Sequence, residues 1–315
     1  MYPESVLVTG SSGTIGTELV HRLLDEGVDV TGADVVPNRW SDRIDDRTTV
    51  VDMTDQAAVE SLPSDVDMVI HLAANARVHR LVKDPSGAKE NIDMTYNVLE
   101  HARKSGIDQF MFASSREVYG NADKTIYREE DTFADACESP YTASKVSGEA
   151  MVDAYEQCYG INSCTLRFSN VYGKYDASDR VVPLFIAQAY RDRDLTVYGS
   201  DKVLDFTHVE DCVDGIDRAV ENFHKISGMT LNIASGEGTS ILELAEAVID
   251  RISTDSQLHV EQNRTGEVSR FVSEISKARK ILGYEPTYPF EDGVTEAIEW
   301  YRNNDHLFDD ILDTA

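Results

Sequence analysis

Basic side chains are scarce in this 315-residue chain: Lys and Arg number 29 against 57 Asp and Glu, for a net charge of −28. Such a surface repels the phosphates of nucleic acid and of anionic membranes, so neither is expected as a partner. Long apolar runs are also missing. No stretch approaches the ~20 residues of a membrane span. The chain opens almost at once on the apolar Val6-Leu7-Val8, which leaves no room for a leader peptide. Cysteine is sparse, and Cys137, Cys158, Cys164 and Cys212 stand apart with no CxxC pair or His cluster. Reduced thiols in a soluble, cytoplasmic protein are expected, and no metal site. Repeats, low-complexity blocks and Pro/Gly/Ser linkers are absent. The acidic residues are spread along the chain rather than gathered into a tail, a pattern that fits a salt-rich cytoplasm, where screening shortens self-repulsion to ~3 Å at 1 M.

What is present is an alternation. Strands are predicted over 5–9, 28–35, 48–51, 68–73 and 109–113, with helices between them, notably over 14–25, 85–105 and 140–159. In the first helix Ile15, Leu19, Leu23 and Leu24 share a face. This order predicts an α/β fold, a Rossmann-type doubly wound parallel sheet covered on both faces. After a strand near 165–168 the pattern loosens into shorter elements. A cofactor-binding domain over 1–168 and a smaller, interleaved α/β substrate lobe over 169–315 are expected, because 231–234 again reads as a buried strand returning to the first sheet. The acidic segment from 304 onward is left open as ordered or not.

Thr9-Gly10-Ser11-Ser12-Gly13-Thr14-Ile15-Gly16 follows the first strand and opens the first helix. Glycines allow the tight turn and the close approach of a pyrophosphate, and the helix start offers free N–H groups. Asp34 ends the second strand about 20 residues later, where a carboxylate binds the adenosine ribose and repels a 2′-phosphate, which favours NAD over NADP. Asp52 and Met53 after the third strand, and Leu72, Ala73 and Ala74 after the fourth, are further candidates for lining the cofactor.

Tyr141-Thr142-Ala143-Ser144-Lys145 begins a helix directly after Pro140, and the spacing of four puts Tyr141 and Lys145 on one face. A phenol titrating near 10 is a poor base at neutral pH, and a neighbouring ammonium brings it into working range. Ser114 and Ser115 end the fifth strand, where a hydroxyl reaches the same substrate oxygen. Tyr141, Lys145 and Ser115 thus read as a hydride-transfer site, with Ser114 beside the cofactor.

With these pieces the chain resembles the extended short-chain dehydrogenase/reductase family, and within it the NAD-dependent nucleotide-sugar epimerases and dehydratases of the UDP-glucose 4-epimerase kind. The matching runs are the glycine turn, Asp34, HLAAN (71–75), NIDMTYNVLE (91–100), FASSREVYG (112–120), YTASK (141–145), RFSNVYG (167–173), FTHVEDCVDGI (206–216) and RTGEV (264–268). The resemblance implies Tyr141 as base, Lys145 as its partner and Ser115 as the catalytic hydroxyl. It also implies Asn170 and Arg264 as contacts to a sugar nucleotide, and a homodimer through the helices over 85–105 and 140–159. Arg77, Arg116 and Arg180 are further candidates for the substrate.

Two departures bear on the reaction. Dehydratases and decarboxylases of this family use carboxylates just after the catalytic hydroxyl. Glu117 matches one, but Arg116 stands where 4,6-dehydratases place Asp. The arginine that precedes Asp205-Phe206 in relatives and clamps the diphosphate is Leu204 here, and Lys202, Arg180 and Lys174 are the candidates to compensate. Sugar 4-epimerisation by transient oxidation is therefore the leading reading. Dehydration or decarboxylation through Glu117, outright NAD oxidation of a non-nucleotide sugar or sugar acid, and an NAD-binding sensor or scaffold stay open. His79 and His208 read as packing or surface residues.

Overall fold

A computed structural model describes residues 1–122, 124–132, 137–264, 266 and 268–314. The first half holds strands β1 (Ser5–Thr9), β2 (Asp29–Asp34), β3 (Thr48–Val50), β4 (Met68–His71), β5 (Gln109–Ser115) and β6 (Asn162–Phe168). Between them run α1 (Thr14–Asp25), α2 (Asp42–Asp45), α3 (Gln56–Val59), α4 (Val78–Lys83), α5 (Ser86–Ser105) and α6 (Pro140–Tyr159). A 3₁₀ turn, Arg116–Tyr119, follows β5. The second half holds β7 (Asn170–Tyr172), α7 (Val181–Tyr190), β8 (Leu195–Tyr198), β9 (Val203–His208), α8 (Val209–Glu221), α9 (Phe223–Ile226) and β10 (Met229–Ile233). Then come β11 (Gly238–Ser240), α10 (Ile241–Ile252), β12 (Leu258–Glu261), β13 (Arg270–Phe271), α11 (Ser276–Leu282), α12 (Phe290–Arg302) and α13 (Leu307–Thr314).

Seven parallel strands form the main sheet in the order β10-β6-β5-β4-β1-β2-β3. Its strands read as apolar runs because both faces are buried, and alternate residues part between two cores. Val6, Val8, Ile70 and Met111 pack with α1, α8 and Tyr284 on one face. Leu7, Val69, Phe110 and Phe112 pack with Val98 and Leu99 of α5 and Val152 of α6 on the other. The chain returns to this layer with β10, and also with α8 and α11, whose Ile216 and Ala278 join the first core. A third core, built from α7, β8, β9, α10, α12 and α13, fills the smaller lobe. There β9 joins β11, β13 and β7, while β8 pairs with β12.

The acidic C-terminal segment is ordered through Thr314. Leu307, Phe308 and Ile311 are buried, and Phe308 stacks on Tyr190 of α7 with ring centres 5.0 Å apart. Among the described residues no helix is long and apolar enough to cross a membrane, and no group of three or more His, Cys, Asp or Glu could hold a metal ion.

Candidate active site

The C-terminal ends of β1, β2, β4, β5 and β6 converge along one edge of the sheet, where doubly wound folds bind ligands. At the end of β1, Gly10 adopts φ +75° and its N–H donates to Ala33 O at 2.8 Å. A Cβ on Gly10 would lie 2.8 Å from the Ala73 nitrogen, and one on Gly16 only 2.0 Å from Gly10 O. The turn is therefore pressed against both the β4 end and its own helix. Gly13 caps α1 in extended conformation with no side-chain cap, so the first N–H groups of the helix carry no side-chain acceptor. Thr14 and Ile15 flank this uncapped end, and the Thr14 hydroxyl donates to Tyr175 O at 3.1 Å. Asp34 bridges the turn, accepting from Ser12 N–H at 2.9 Å and from Val36 N–H at 3.2 Å. A cradle that side chains would fill, an uncapped helix start and a carboxylate at the end of β2 together fit a dinucleotide.

Leu72, Ala73 and Ala74 leave the end of β4 beside this turn. Leu72 N–H donates to Thr9 O at 3.1 Å, and Ala73 N–H to the Thr9 hydroxyl at 3.3 Å. Asp52, the candidate after β3, has a local partner. It is exposed and folds back on Thr54, accepting from its N–H and hydroxyl at 2.8 Å each. Met53 is buried, and its carbonyl receives Asn97 Nδ2 at 2.9 Å, a tie between the β3 loop and α5.

Ser139 caps α6, accepting from Thr142 N–H at 3.1 Å, and Pro140 opens the helix. This start sets Tyr141 and Lys145 side by side, both buried. Lys145 Nζ donates to Ala113 O of β5 at 2.8 Å and lies 5.9 Å from the centre of the Tyr141 ring. Burial pushes its ammonium down to about 8, against the pull of Glu149. The Tyr141 hydroxyl pairs with Ser115. Burial raises it above its ordinary value; the Ser115 bond and the charges of Arg180 and Arg116 oppose that rise, and Glu117 adds to it. The protein alone thus does not supply the lowered phenol that the Tyr–Lys spacing predicts, because desolvation outweighs nearby positive charge.

The turn after β5 gathers the other candidates. Arg116 donates through Nε to Asn170 Oδ1 at 3.2 Å and pairs through Nη2 with Glu117 Oε1 at 2.8 Å. Asn170 Nδ2 in turn donates to Asp205 O at 2.9 Å. Arg180, at the start of α7, stands close enough to act on Tyr141. Arg77 pairs with Asp179 at 3.2 Å, and desolvation pushes its guanidinium down to about 10.

Lys174, Arg264 and His208 each have other partners. Lys174 is held by Glu18 at 3.0 Å and Glu210 at 2.8 Å, so it does not compensate for Leu204. Leu204 itself is buried in the smaller lobe's core. Arg264 stacks on Tyr198, 3.9 Å from the ring centre, and Gly266 of the same run comes up to Ser139 at the start of α6. Thr265 and Glu267 of the same run lie outside the described residues. His208 caps α8, stacks on Tyr288 and is pushed by burial to about 4, which makes it a packing residue.

Sequence reasoning missed two buried networks. Glu149, one helical turn beyond Lys145, takes Arg167 Nε and Nη2 at 2.8 and 2.7 Å and the Ser114 hydroxyl. The spacing 141, 145, 149 on α6 was its signal. Asp205, fully buried, receives Ser235 N–H and Gly236 N–H at 3.0 Å, Ser273 N–H at 3.2 Å and the Ser169 hydroxyl at 3.0 Å. It pins β9 to the loops around Asn170. Its partners are backbone N–H groups and the hydroxyls of Ser169, Ser235 and Thr207, drawn from separate strands and loops that periodicity does not bring together.

The sequence profile of the NAD dependent epimerase/dehydratase family matches residues 6–234. An uncharacterised UDP-glucose epimerase of Bacillus subtilis, YtcB, is 32% identical over 94% of this chain and 97% of its own length. A dTDP-glucose 4,6-dehydratase of Actinoplanes is 30% identical over 95% of this chain and 98% of its own. The crystal structure of a Thermus thermophilus UDP-glucose 4-epimerase in complex with NAD superposes with a TM-score of 0.86 at 28% identity, covering 95% of this chain and 99% of that one.

Proposed function

Since the chain belongs to the NAD dependent epimerase/dehydratase family, we propose that it is a nucleotide-sugar 4-epimerase acting on a UDP-hexose-type substrate through transient oxidation at C4. The observation that carries this choice is the Arg116–Glu117 ion pair. The proton-transfer group at Tyr141 is intact. The carboxylate that a dehydratase would aim beyond C4 is engaged by a guanidinium at 2.8 Å.

The Gly10–Gly16 turn, the start of α1 and Asp34 would hold NAD, which would supply the hydride acceptor and donor and a positive charge. Tyr141 Oη takes the proton of the C4 hydroxyl and later returns it. Ser115, the partner of Tyr141, hydrogen-bonds the same oxygen and fixes its direction. Lys145, charged below about pH 8, places its ammonium 5.9 Å from the centre of the Tyr141 ring, and in this reading it favours the phenolate that forms there. Asn170, Arg264, Arg77 and Arg180 are the substrate contacts of this reading. Asp34 at the end of β2 favours NAD over NADP. A homodimer through α5 and α6 is part of the same reading, and Tyr96 on α5, 44% exposed, offers it an aromatic contact.

The test is incubation in high salt with UDP-, dTDP- and GDP-hexoses and free uronates. Epimer without net NADH is expected. A keto-deoxy sugar would instead establish a dehydratase, and NADH accumulation a dehydrogenase.

A further inference from the structure

Two buried arginines near the site are satisfied to different extents. Arg167 spends every nitrogen on the protein: Nε and Nη2 on Glu149, Nη1 on the Tyr119 hydroxyl at 3.1 Å and Glu129 O at 2.7 Å. That is the pattern of a structural arginine. Arg116 does not follow it. Its Nε is fixed by Asn170, its Nη2 by Glu117, and its guanidinium lies over Phe271, 5.8 Å from the ring centre. Its Nη1 is buried and has no hydrogen-bond partner among the described residues. Leaving a cationic N–H buried without an acceptor is costly, so three fixed sides and one bare nitrogen describe a fork held ready for an anion.

The location narrows the anion. Arg116 directly follows Ser115, and its charge is felt at the Tyr141 hydroxyl. The residue paired with Phe271 in the β13–β9 register is Leu204, so the strand position beside this ring is apolar. The two departures noted in the sequence, an arginine at 116 and a leucine at 204, are thus both neighbours of Phe271. Arg77 Nη1 also has no hydrogen-bond partner among the described residues, but Arg77 sits before α4 against Asp179 and not on the Ser115 turn.

We infer that Arg116 is the substrate-oxyanion receptor of this site. It takes an oxygen of the phosphate next to the sugar or of a carboxylate on the sugar. The inference rests on the nucleotide-sugar reading above and deepens it, because it makes anion recognition depend on the 3₁₀ turn rather than on β9.

The experiment is titration calorimetry of the NAD-loaded, full-length protein with UDP, UDP-glucose and UDP-glucuronate, for wild type, Arg116→Met and Arg116→Lys. Because losing Arg116 strands Glu117, the double variant Arg116→Met with Glu117→Gln is measured alongside. Loss of a charge-assisted bond corresponds to a roughly 10- to 100-fold weaker Kd. A loss shared by all three ligands assigns the phosphate, and a loss confined to UDP-glucuronate assigns the carboxylate; either supports the receptor, with partial recovery in Arg116→Lys. Unchanged Kd values in folded Arg116→Met, or wild-type affinity in the double variant, overturn it. Binding is read without turnover, so a wild type that binds but does not epimerise sinks the proposed reaction while leaving the receptor standing. A wild type that binds none of the three ligands overturns both.

Discussion

Tyr141 is pulled in opposite directions by desolvation, which favours the neutral phenol, and by Ser115, Arg180 and Arg116, which favour the phenolate. With the hydroxyl removed in Tyr141→Phe, the group proposed to take the substrate proton is gone. The expected result is a turnover loss of at least ~10²-fold with NAD binding retained, since general acid–base groups contribute about 10²–10⁴. Calorimetry with NAD and product chromatography check both halves, and near-normal turnover would remove Tyr141 from the mechanism. Lys145 sets a pH limit. Its folded-state value is lowered to about 8, so the ammonium is present below that pH and lost as pH rises through it. Turnover that depends on the charge should fall on the alkaline side near pH 8. Glu149 pulls the value upward, so Glu149→Gln should move that limb of the kcat–pH curve to lower pH; an unmoved limb breaks the link. The residues of this group were legible in the sequence because the chemistry demands fixed types at fixed spacing. Arg167 was not assigned as the partner of Glu149, because the contact joins a helix to a strand that periodicity cannot register against it.

At the scale of elements, the first strand, turn and helix form a single device. Gly16 lies where a methyl group would meet Gly10 O at 2.0 Å. Gly16→Ala should therefore force the helix off the turn, at about 1–3 kcal/mol of overpacking, and weaken NAD more than it weakens the fold. Thermal unfolding with and without NAD separates the two, and an equal NAD-induced stabilisation in the variant would count against the cradle. Helix α6 falls at 140–159, as Ser139, Pro140 and Gly160 announce in the sequence. The ends of β4 and β5 were less legible. β4 stops at His71 because Asn75 turns away to clasp Asn91, its N–H meeting Asn91 Oδ1 at 2.7 Å. β5 runs on to Ser115 because β6 continues to pair with it. The two-residue strand β13, which brings Phe271 opposite Leu204, has no periodicity to read. Helix α13 illustrates how packing decides order that composition leaves open. Phe308→Ala should cost about 3–5 kcal/mol, the usual range for a buried phenylalanine, measured by denaturant unfolding. A cost under about 1 kcal/mol would place α13 outside the cooperative fold.

Across the whole molecule the arithmetic of charge decides the response to salt. With 57 acidic and 29 basic side chains, 57 − 29 leaves 28 carboxylates with no cation to match. Many cations are already committed at the surface: Arg43 to Asp25 at 2.7 Å, Lys104 to Glu60 at 2.6 Å, Arg191 to Asp309 at 3.0 Å. Salt weakens these pairs and relieves the repulsion among the surplus carboxylates at the same time. Exposed pairs contribute only about 0–1 kcal/mol each, so little is forfeited when they are screened. The repulsion acts over the whole surface, and it is cut off more sharply as the Debye length falls from ~10 Å at 0.1 M to ~3 Å at 1 M. The folded chain confines its charges more tightly than the unfolded one, so relief favours the fold. The unfolding temperature should therefore rise between 0.1 and 1 M KCl, and scanning calorimetry across that range reads the sign directly. A fall in that temperature would mean that the ion pairs outweigh the surplus charge, and that the acidic surface is not an adaptation to salt.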